Sequence, residues 1–207
     1  MTRHFYKVFP ICIVSICSVF VLAGCISLST LQTAETVDPG NVQLGLGAAY
    51  ASGFMLEAGA RVGVLKNLDV GAKYSFPSLV WLDGKIQLTQ QPDLFAFDLG
   101  WSSFSTDWGL LHSEAIKTTT SCWYPAIYYT RGRFYTGVRG TIMKLNGTVS
   151  VFDADISVHG TKYVFTNLVL GYSIGDKVRV LPEINIYVPS YSGKTALVPA
   201  VGLQLWL

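Results

Sequence analysis

The stretch FMLEAGARVGV, residues 54–64, carries the pattern that decides the fold. Its large apolar side chains alternate with glycine and with Glu57 and Arg61. A period of two is typical of a β-strand, because successive side chains point to opposite faces of the sheet. The second face combines glycine with charges of both signs, unlike the lysine-, glutamate- and serine-rich surface of a soluble sheet. This stretch therefore predicts a strand whose polar face lies in a confined space, such as the interior of a narrow barrel.

Similar alternation continues along the chain from Asn41 to the last residue, and no helical periodicity interrupts it. Pro125 leaves the register of its own segment open. The pattern predicts an all-β chain folded as a single antiparallel up-and-down β-barrel of about ten strands. The ten predicted strands are 41–50, 54–64, 68–74, 84–90, 94–101, 121–130, 133–143, 161–174, 178–188 and 197–207.

The composition agrees with a barrel in an apolar environment. The chain has 207 residues, of which 50% are hydrophobic and 14% charged, and it contains 20 glycines. This length suits one domain, and the low charge excludes an intrinsically disordered chain. Beyond the N-terminal region, no apolar run reaches the roughly 20 residues that a transmembrane helix requires.

The first residues predict an export signal rather than part of the fold. Arg3 and Lys7 precede an apolar stretch that ends in Leu22-Ala23-Gly24-Cys25. These four residues resemble the lipobox of bacterial lipoproteins. The resemblance implies cleavage before Cys25 and a diacylglyceryl and acyl anchor on that residue, with the diacylglyceryl group on its sulfur. We therefore expect a signal peptide at 1–24, a lipidated N-terminus and tether at 25–40, and the barrel domain at 41–207.

Cysteine and charge counts limit the chemistry of the mature chain. Cys12 and Cys17 leave with the signal, and Cys25 carries the lipid, so Cys122 has no disulfide partner and is predicted to be a structural thiol. Without the signal peptide the chain has thirteen Lys and Arg residues and thirteen Asp and Glu residues. This balance, with no basic run, argues against nucleic acid as a partner.

The predicted links differ in length according to which rim they occupy. Those after even-numbered strands are tight, whereas most of those after odd-numbered strands are long: 75–83, 102–120, 144–160 and 189–196. Over residues 41–207 the chain thus resembles the small β-barrels of bacterial outer membranes. The resemblance implies an outer-membrane location, with both barrel ends on the periplasmic side and the lipid in the inner leaflet. One departure is the end of the chain, where the aromatic Trp206 precedes Leu207 instead of standing last.

Ten charged residues are expected to face the barrel interior. They either line an ion conduit or pair with one another and plug the barrel. Plugging is favoured, because barrels near eight strands are filled by side chains and open channels come at about sixteen. The predicted interior charges are Glu57, Arg61, Asp69, Lys73, Lys85, Asp98, Arg133, Arg139, Arg179 and Glu183.

No motif for nucleotide binding, metal ligation or nucleophilic catalysis is present, and we predict no catalytic, cofactor or metal site. The best catalytic candidates are Asp107, His112, Ser113 and Glu114 in one predicted loop. A carboxylate could tune the histidine for acid–base work, but the spacing matches no known enzyme barrel. A solvated polar loop is the favoured interpretation, so the chain is not predicted to be an enzyme.

The sequence thus predicts a lipid-anchored outer-membrane barrel with a structural, adhesive or ligand-binding role through its long loops. Two alternatives stay open. A soluble, lipocalin-like periplasmic lipoprotein would turn the apolar face inward around an apolar ligand, because period two does not say which face lies outside. A narrow pore would use the interior charges for ion selectivity.

Overall fold

The computed structural model describes residues 29–50, 54–76, 79–110, 114–151, 154–190 and 195–207. Within these ranges the chain forms ten β-strands. They are β1 Val42–Tyr50, β2 Phe54–Leu65, β3 Leu68–Ser75, β4 Leu79–Gln87, β5 Asp93–Leu110, β6 Glu114–Arg131, β7 Phe134–Val151, β8 Ala154–Tyr172, β9 Val178–Pro189 and β10 Ala196–Trp206. In the described part of the chain, no helix is long and apolar enough to cross a membrane.

The strands form one closed barrel in which each pairs with its neighbours in sequence, all antiparallel. Closure comes from pairing between β1 and β10, from Gln43 opposite Trp206 to Ala49 opposite Ala200. The predicted fold class, a single antiparallel up-and-down barrel of about ten strands, is confirmed.

The two rims of the barrel differ. The turn rim holds the links β2–β3, β4–β5, β6–β7 and β8–β9, together with the first residue of β1 and the last of β10. The opposite rim, here called the hairpin rim, joins the remaining consecutive strands. β5 to β8 have 18 or 19 residues each, whereas the other strands have 8 to 12. The barrel wall is therefore much higher along β5–β8 than elsewhere.

Three of the four predicted long loops, 75–83, 102–120 and 144–160, are wrong, because most of their described residues lie in strands. Residues 102–110 and 114–120 continue β5 and β6, with pairing up to Leu110 opposite Glu114, and 144–151 and 154–160 extend β7 and β8. Most of predicted loop 75–83 also lies in β3 and β4. Residues 102–110 and 114–120 lack apolar alternation because they are rich in serine and threonine. Threonine nevertheless favours extended backbone, and each strand continues the register of its partner.

The faces of the barrel are opposite to those of a soluble protein. On β2, Phe54 is 72% exposed on the outside, whereas Glu57 is 4% exposed and faces the interior. The same inversion holds around the wall, where Leu46 is 61% exposed and Lys85 only 2%. β6 resolves the open register, because Tyr124 and Tyr128 point inward while Trp123 and Ile127 point outward.

Apolar clusters inside the barrel lie on both sides of the buried charges. Toward the hairpin rim, Cys122 packs with Trp81, Tyr124 and Met143, and Met55 packs with Tyr187 and Val198. Toward the turn rim, a further cluster contains Ala34, Leu94, Ala96, Ala126 and Tyr128. Cys122, predicted to be a structural thiol, is 1% exposed.

Candidate functional site in the barrel lumen

The barrel interior contains a segment of its own chain. Residues 29–40, here called the lumen segment, belong to the region predicted as a tether, of which 25–28 lie outside the described residues. Six of its side chains are at most 7% exposed: Ser29, Thr30, Thr33, Ala34, Thr36 and Val37. Its hydrogen-bond partners lie on seven of the ten strands, so the segment runs along the middle of the barrel.

At the end of the lumen segment that lies farther from the turn rim, the Glu183 carboxylate of β9 binds two successive residues. Thr30 donates its backbone N–H to Oε1 at 2.8 Å and its hydroxyl to Oε2 at 2.7 Å, and Leu31 donates its N–H to Oε2 at 2.9 Å. Tyr135 Oη and Asn185 Nδ2 donate to the same carboxylate at 3.2 and 2.6 Å. Hydrogen bonds to an ionised acceptor are stronger than those between neutral groups, so this carboxylate holds the segment in place.

Ser29 lies beside a second carboxylate. Its hydroxyl donates to Glu57 of β2, and its carbonyl accepts from Lys73 Nζ at 3.0 Å and from Arg139 Nη1 at 3.3 Å. Lys73 also forms an ion pair with Glu57 at 3.3 Å. The peptide backbone thus completes the hydrogen bonding of charges that would otherwise be costly to bury.

Nearer the turn rim, a cluster of charged side chains on the barrel wall binds the middle of the segment. Arg61 pairs with Asp69 at 2.5 Å and with Asp83 at 2.7 Å. Lys85 Nζ lies 3.6 Å from Asp69 and donates to the carbonyls of Thr33 at 3.1 Å and Glu35 at 2.6 Å. Here the barrel wall supplies side-chain charges and the segment supplies peptide groups.

Three further contacts continue toward the turn rim. The Val37 N–H donates to Asp69 at 2.9 Å, and the Ala34 N–H donates to the Thr130 hydroxyl at 2.9 Å. Glu35 forms an ion pair with Arg179. Pro39 then bridges to Gly63, and the Gly40 N–H donates to the Gly63 carbonyl at 3.0 Å, so the segment ends at the turn rim.

Leu31 shows why glycine lines this part of the wall. Gly47 and Gly202 lie opposite each other in the β1–β10 register, and the Leu31 side chain packs against both. A Cβ at position 47 would overlap Leu31 Cδ1, and one at position 202 would lie 2.8 Å from Cδ2. Leu31 also has a φ of 47°, a left-handed conformation that costs a non-glycine residue about 1–3 kcal/mol. Its contacts on both sides maintain that conformation.

Nine of the ten predicted interior charges lie on the wall of the lumen, and Arg133 does not. Lys73 and Arg179 are half-buried, and the others are buried. Arg133 precedes β7 in the turn between β6 and β7 and is exposed. Alternation alone does not show where a strand begins, so the predicted strand 133–143 starts one residue before β7. The seven buried charges are Glu57, Arg61, Asp69, Lys85, Asp98, Arg139 and Glu183.

The sequence analysis missed one charged residue of the barrel wall and the residues of the lumen segment. Asp83 was assigned to a loop, although β4 begins four residues earlier and carries it inward beside Arg61. Thr30 and Glu35 were assigned to the tether. A usable signal was the composition of residues 29–37, STLQTAETV, where threonine recurs every third residue, with one charge and without the proline or glycine typical of an exposed linker.

A small cavity lies beside the lumen segment in the described part of the barrel. One cavity of about 50 Å³ lies between Thr30, Leu31 and Gln32 and the wall formed by β1–β4 and β10. This volume suits a few water molecules, each of which needs about 10–15 Å³ of such free space. It is too small for a substrate or for a second peptide chain.

The described residues contain no group of three or more His, Cys, Asp or Glu side chains placed to hold a metal ion. Of the four catalytic candidates, His112 and Ser113 lie outside the described residues. Asp107 and Glu114 lie on β5 and β6, opposite Lys117 and Leu110 in the register. The predicted lipidation site, Cys25, also lies outside the described residues.

Solved structures of similar architecture exist at very low sequence identity. The N-terminal β-barrel domain of OprF from Pseudomonas aeruginosa is 6% identical, with 81% of this chain and 98% of that chain covered and a TM-score of 0.37. The KdgM porin is 9% identical, with 79% and 98% covered and a TM-score of 0.36. Neisserial surface protein A is 9% identical, with 80% and 94% covered and a TM-score of 0.29. No family model and no curated protein matches the chain.

Proposed function

We propose that this chain is a lipid-anchored β-barrel of the bacterial outer membrane with a closed lumen and a structural, adhesive or ligand-binding role through its long hairpins. The observation that carries the proposal is the outward apolar face of a closed barrel. Among the described side chains, large apolar ones that are 36–72% exposed lie on the outside of every one of the ten strands. In water such a surface would drive aggregation, whereas in lipid it is the expected exterior.

The closed backbone supports the same proposal. A bilayer offers no water to unpaired N–H and C=O groups, so a sheet can cross it only as a barrel without an edge. The pairing of β1 with β10 removes that edge. The soluble, lipocalin-like alternative requires apolar side chains inside around a ligand, but the lumen of this barrel holds ion pairs and a peptide segment.

The filled lumen argues for an anchor rather than a conduit. Most wall charges pair with one another or bind the lumen segment, and one adjoining cavity is about 50 Å³. An ion crossing the barrel would have to displace hydrogen bonds to Glu183, Lys85 and Asp69. We therefore assign no steady conductance to the intact protein.

The long hairpins are the parts available for recognition. A strand of 18 residues spans about 60 Å at 3.4 Å per residue, or about 45 Å along the axis of a barrel with a tilt near 40°. The apolar band of an outer-membrane barrel is about 25 Å tall. β5–β8 therefore extend roughly 20 Å beyond it on the hairpin side, which is the cell exterior in such barrels. A role in binding or adhesion, without catalysis, would reside there.

The test separates the barrel from its anchor. Residues 1–24 are replaced by an ordinary cleavable signal, Cys25 is changed to Ser, and the cells are fractionated beside the parent protein. We expect the variant in the outer membrane, resistant to carbonate washing, and we expect the parent alone to incorporate labelled palmitate. Recovery of folded variant in the soluble periplasm would overturn the membrane barrel. Equal palmitate incorporation would overturn lipidation at Cys25.

A narrow pore is the second candidate, and one observation favours it. The lumen is occupied by a segment that is covalently joined to the wall only at β1 and is otherwise held by hydrogen bonds and ion pairs, so its release would open the lumen. Planar-bilayer recordings decide between these functions. Silent membranes that contain folded protein support the closed anchor, and steady conductance supports the pore.

A further inference from the structure

Two lysines lie opposite each other on the outer surface of the barrel. Lys144 of β7 is the direct register partner of Lys162 of β8, and both side chains are exposed. Their chain neighbours Met143 and Tyr163 belong to the apolar cluster inside the barrel. Because side chains alternate along a strand, both lysines point outward. We call Lys144 and Lys162 the lysine pair.

The lysine pair favours a shared anion. Side chains directly opposite each other in an antiparallel pair have Cβ atoms about 4.5–5.5 Å apart, and like charges at such positions are destabilising. An anion that contacts both ammonium groups removes this repulsion and accepts charge-assisted hydrogen bonds from both. The neighbouring outward pair toward the turn rim, Ile142 opposite Val164, is apolar. The lysine pair therefore lies at the edge of an apolar surface.

The lysine pair lies at the height where a barrel of this kind leaves the lipid. The chain advances ten residues from Phe134 to Lys144 on β7, and ten from Lys162 to Tyr172 on β8. Ten residues span about 34 Å along a strand, or about 26 Å along the axis of a barrel with a tilt near 40°. The apolar band of an outer-membrane barrel is about 25 Å tall. With Phe134 and Tyr172 at the periplasmic boundary, the lysine pair reaches the outer headgroups.

The side chains on the outer face agree with this depth. Of the described residues of β7 and β8, those that face outward on the turn-rim side of the lysine pair are all uncharged. On the adjoining strands, Trp101 lies opposite Trp123, and these side chains are 40% and 50% exposed. Tryptophan is enriched where a membrane meets water. Ser121, two residues before Trp123, lies opposite Lys144 and adds a hydroxyl to the row of the lysine pair.

We propose that the lysine pair binds the phosphate of a phosphomonoester lipid headgroup in the outer leaflet of the membrane. A phosphomonoester carries a charge of about −1.5 to −2 at pH 7, which matches two ammonium groups, whereas a phosphodiester carries less. A phosphate carried by lipid fits better than free phosphate, because Ile142 and Val164 offer apolar surface to its acyl chains. This inference rests on the proposed function for the membrane around the barrel.

The experiment measures lipid binding to the folded full chain in a neutral detergent by native mass spectrometry. The probes are dioleoyl phosphatidic acid, which is a phosphomonoester, dioleoyl phosphatidylglycerol, which is a phosphodiester with the same acyl chains, and inorganic phosphate. The test variants are Lys144→Gln and Lys162→Gln. Lys66→Gln is the matched control, because Lys66 is exposed in the turn between β2 and β3. Heat-modifiable migration checks that each protein is folded, and serine replaces glutamine in a variant that is not.

We expect phosphatidic acid to bind the parent and Lys66→Gln equally, and to bind Lys144→Gln and Lys162→Gln about tenfold or more weakly, because each has lost one charged donor. Phosphatidylglycerol should bind the parent more weakly than phosphatidic acid does, and equimolar inorganic phosphate should not displace phosphatidic acid. Equal binding to all variants, equal binding of the two lipids, or displacement by inorganic phosphate would each overturn the inference.

A separate measurement keeps this inference distinct from the proposed function. The parent protein is inserted into phosphatidylcholine vesicles, which are then washed with carbonate. Release of folded protein by the wash contradicts the membrane barrel itself. Protein that resists the wash but shows no preference for phosphatidic acid contradicts only the headgroup site at the lysine pair.

Discussion

Thr30 and Glu183 are joined by two hydrogen bonds across 153 residues of sequence. The backbone N–H of Thr30 donates to one carboxylate oxygen at 2.8 Å, and its hydroxyl donates to the other at 2.7 Å. Both residues are buried, at 2% and 3% exposure. The relationship connects the first part of the described chain to its ninth strand, so the barrel wall and the lumen segment stabilise each other.

Substitutions at these two residues should be coupled. Thr30→Val removes the hydroxyl donor, and Glu183→Gln removes the charge that strengthens all its hydrogen bonds. We expect each to lower the free energy of unfolding by about 1–3 kcal/mol and the double variant to lose less than the sum, with a coupling of about 1 kcal/mol or more. Urea unfolding in lipid vesicles measures the cycle. Thr30→Val with the exposed Arg131→Gln is the control and should be additive, and additivity in the first cycle would contradict the contact.

Gly47 and Gly45 test whether Leu31 fills the space beside β1. Both glycines face the lumen, but an alanine Cβ overlaps Leu31 at position 47 and meets nothing closer than 3.9 Å at position 45. Gly47→Ala should cost about 1–3 kcal/mol through overpacking, and Gly45→Ala should cost much less. Adding Leu31→Ala should recover part of the loss in the first variant and none in the second. Equal stability of the two alanine variants would show that Leu31 does not lie there.

Removal of a buried cation should be far more damaging than removal of an exposed one. Lys85→Met leaves Asp69 with one ion partner fewer and leaves the Thr33 and Glu35 carbonyls without this donor. We expect a loss of about 3–5 kcal/mol. Arg131→Gln is the matched control, because its pair with Asp93 at 3.6 Å is 69% and 45% exposed and should contribute less than about 1 kcal/mol. Similar losses for both variants would contradict a buried charge cluster.

The strands and their faces were predictable because each strand residue faces either the outside of the barrel or its interior. Phe54 and Glu57 differ in hydropathy and lie on opposite faces, so alternation is enough to find β2. Where that contrast ends, the prediction fails. The serine- and threonine-rich continuation of β5 and β6 was assigned to a loop, and Arg133 was counted in a strand although it lies in a turn.

The occupant of the lumen was not predictable from periodicity. Plugging was expected, but by side chains of the wall alone. Thr30 reaches Glu183 through contacts 153 residues apart, and the backbone N–H groups that satisfy this carboxylate carry no residue-specific signal. The abundance of glycine was noted and attributed to a narrow interior. The structure adds that Gly47 and Gly202 make room for one particular side chain, Leu31.

The depth dependence of a charge on the outer face tests the membrane location. Val201 lies at the centre of β10 and Leu207 lies beyond its end, and both side chains are exposed. Val201→Arg should cost about 2–4 kcal/mol in lipid vesicles, and Leu207→Arg should cost about 0–1 kcal/mol. The measurement is equilibrium unfolding by denaturant in vesicles. Equal, small costs at both positions would show that the centre of β10 faces water.

The closed lumen predicts a difference in conductance between the intact protein and a variant without residues 29–37. The deletion keeps Asp38 to Gly40, which form the contacts at the turn rim, and removes the peptide groups that bind Glu183 and Lys85. In planar bilayers, we expect no steady conductance from the intact protein and ion conductance from the folded variant. A synthetic peptide of residues 29–40 should reduce that conductance more than a scrambled peptide does. Steady conductance of the intact protein, or silence of a variant whose strand content and heat-modifiable migration are preserved, would contradict a lumen closed by this segment.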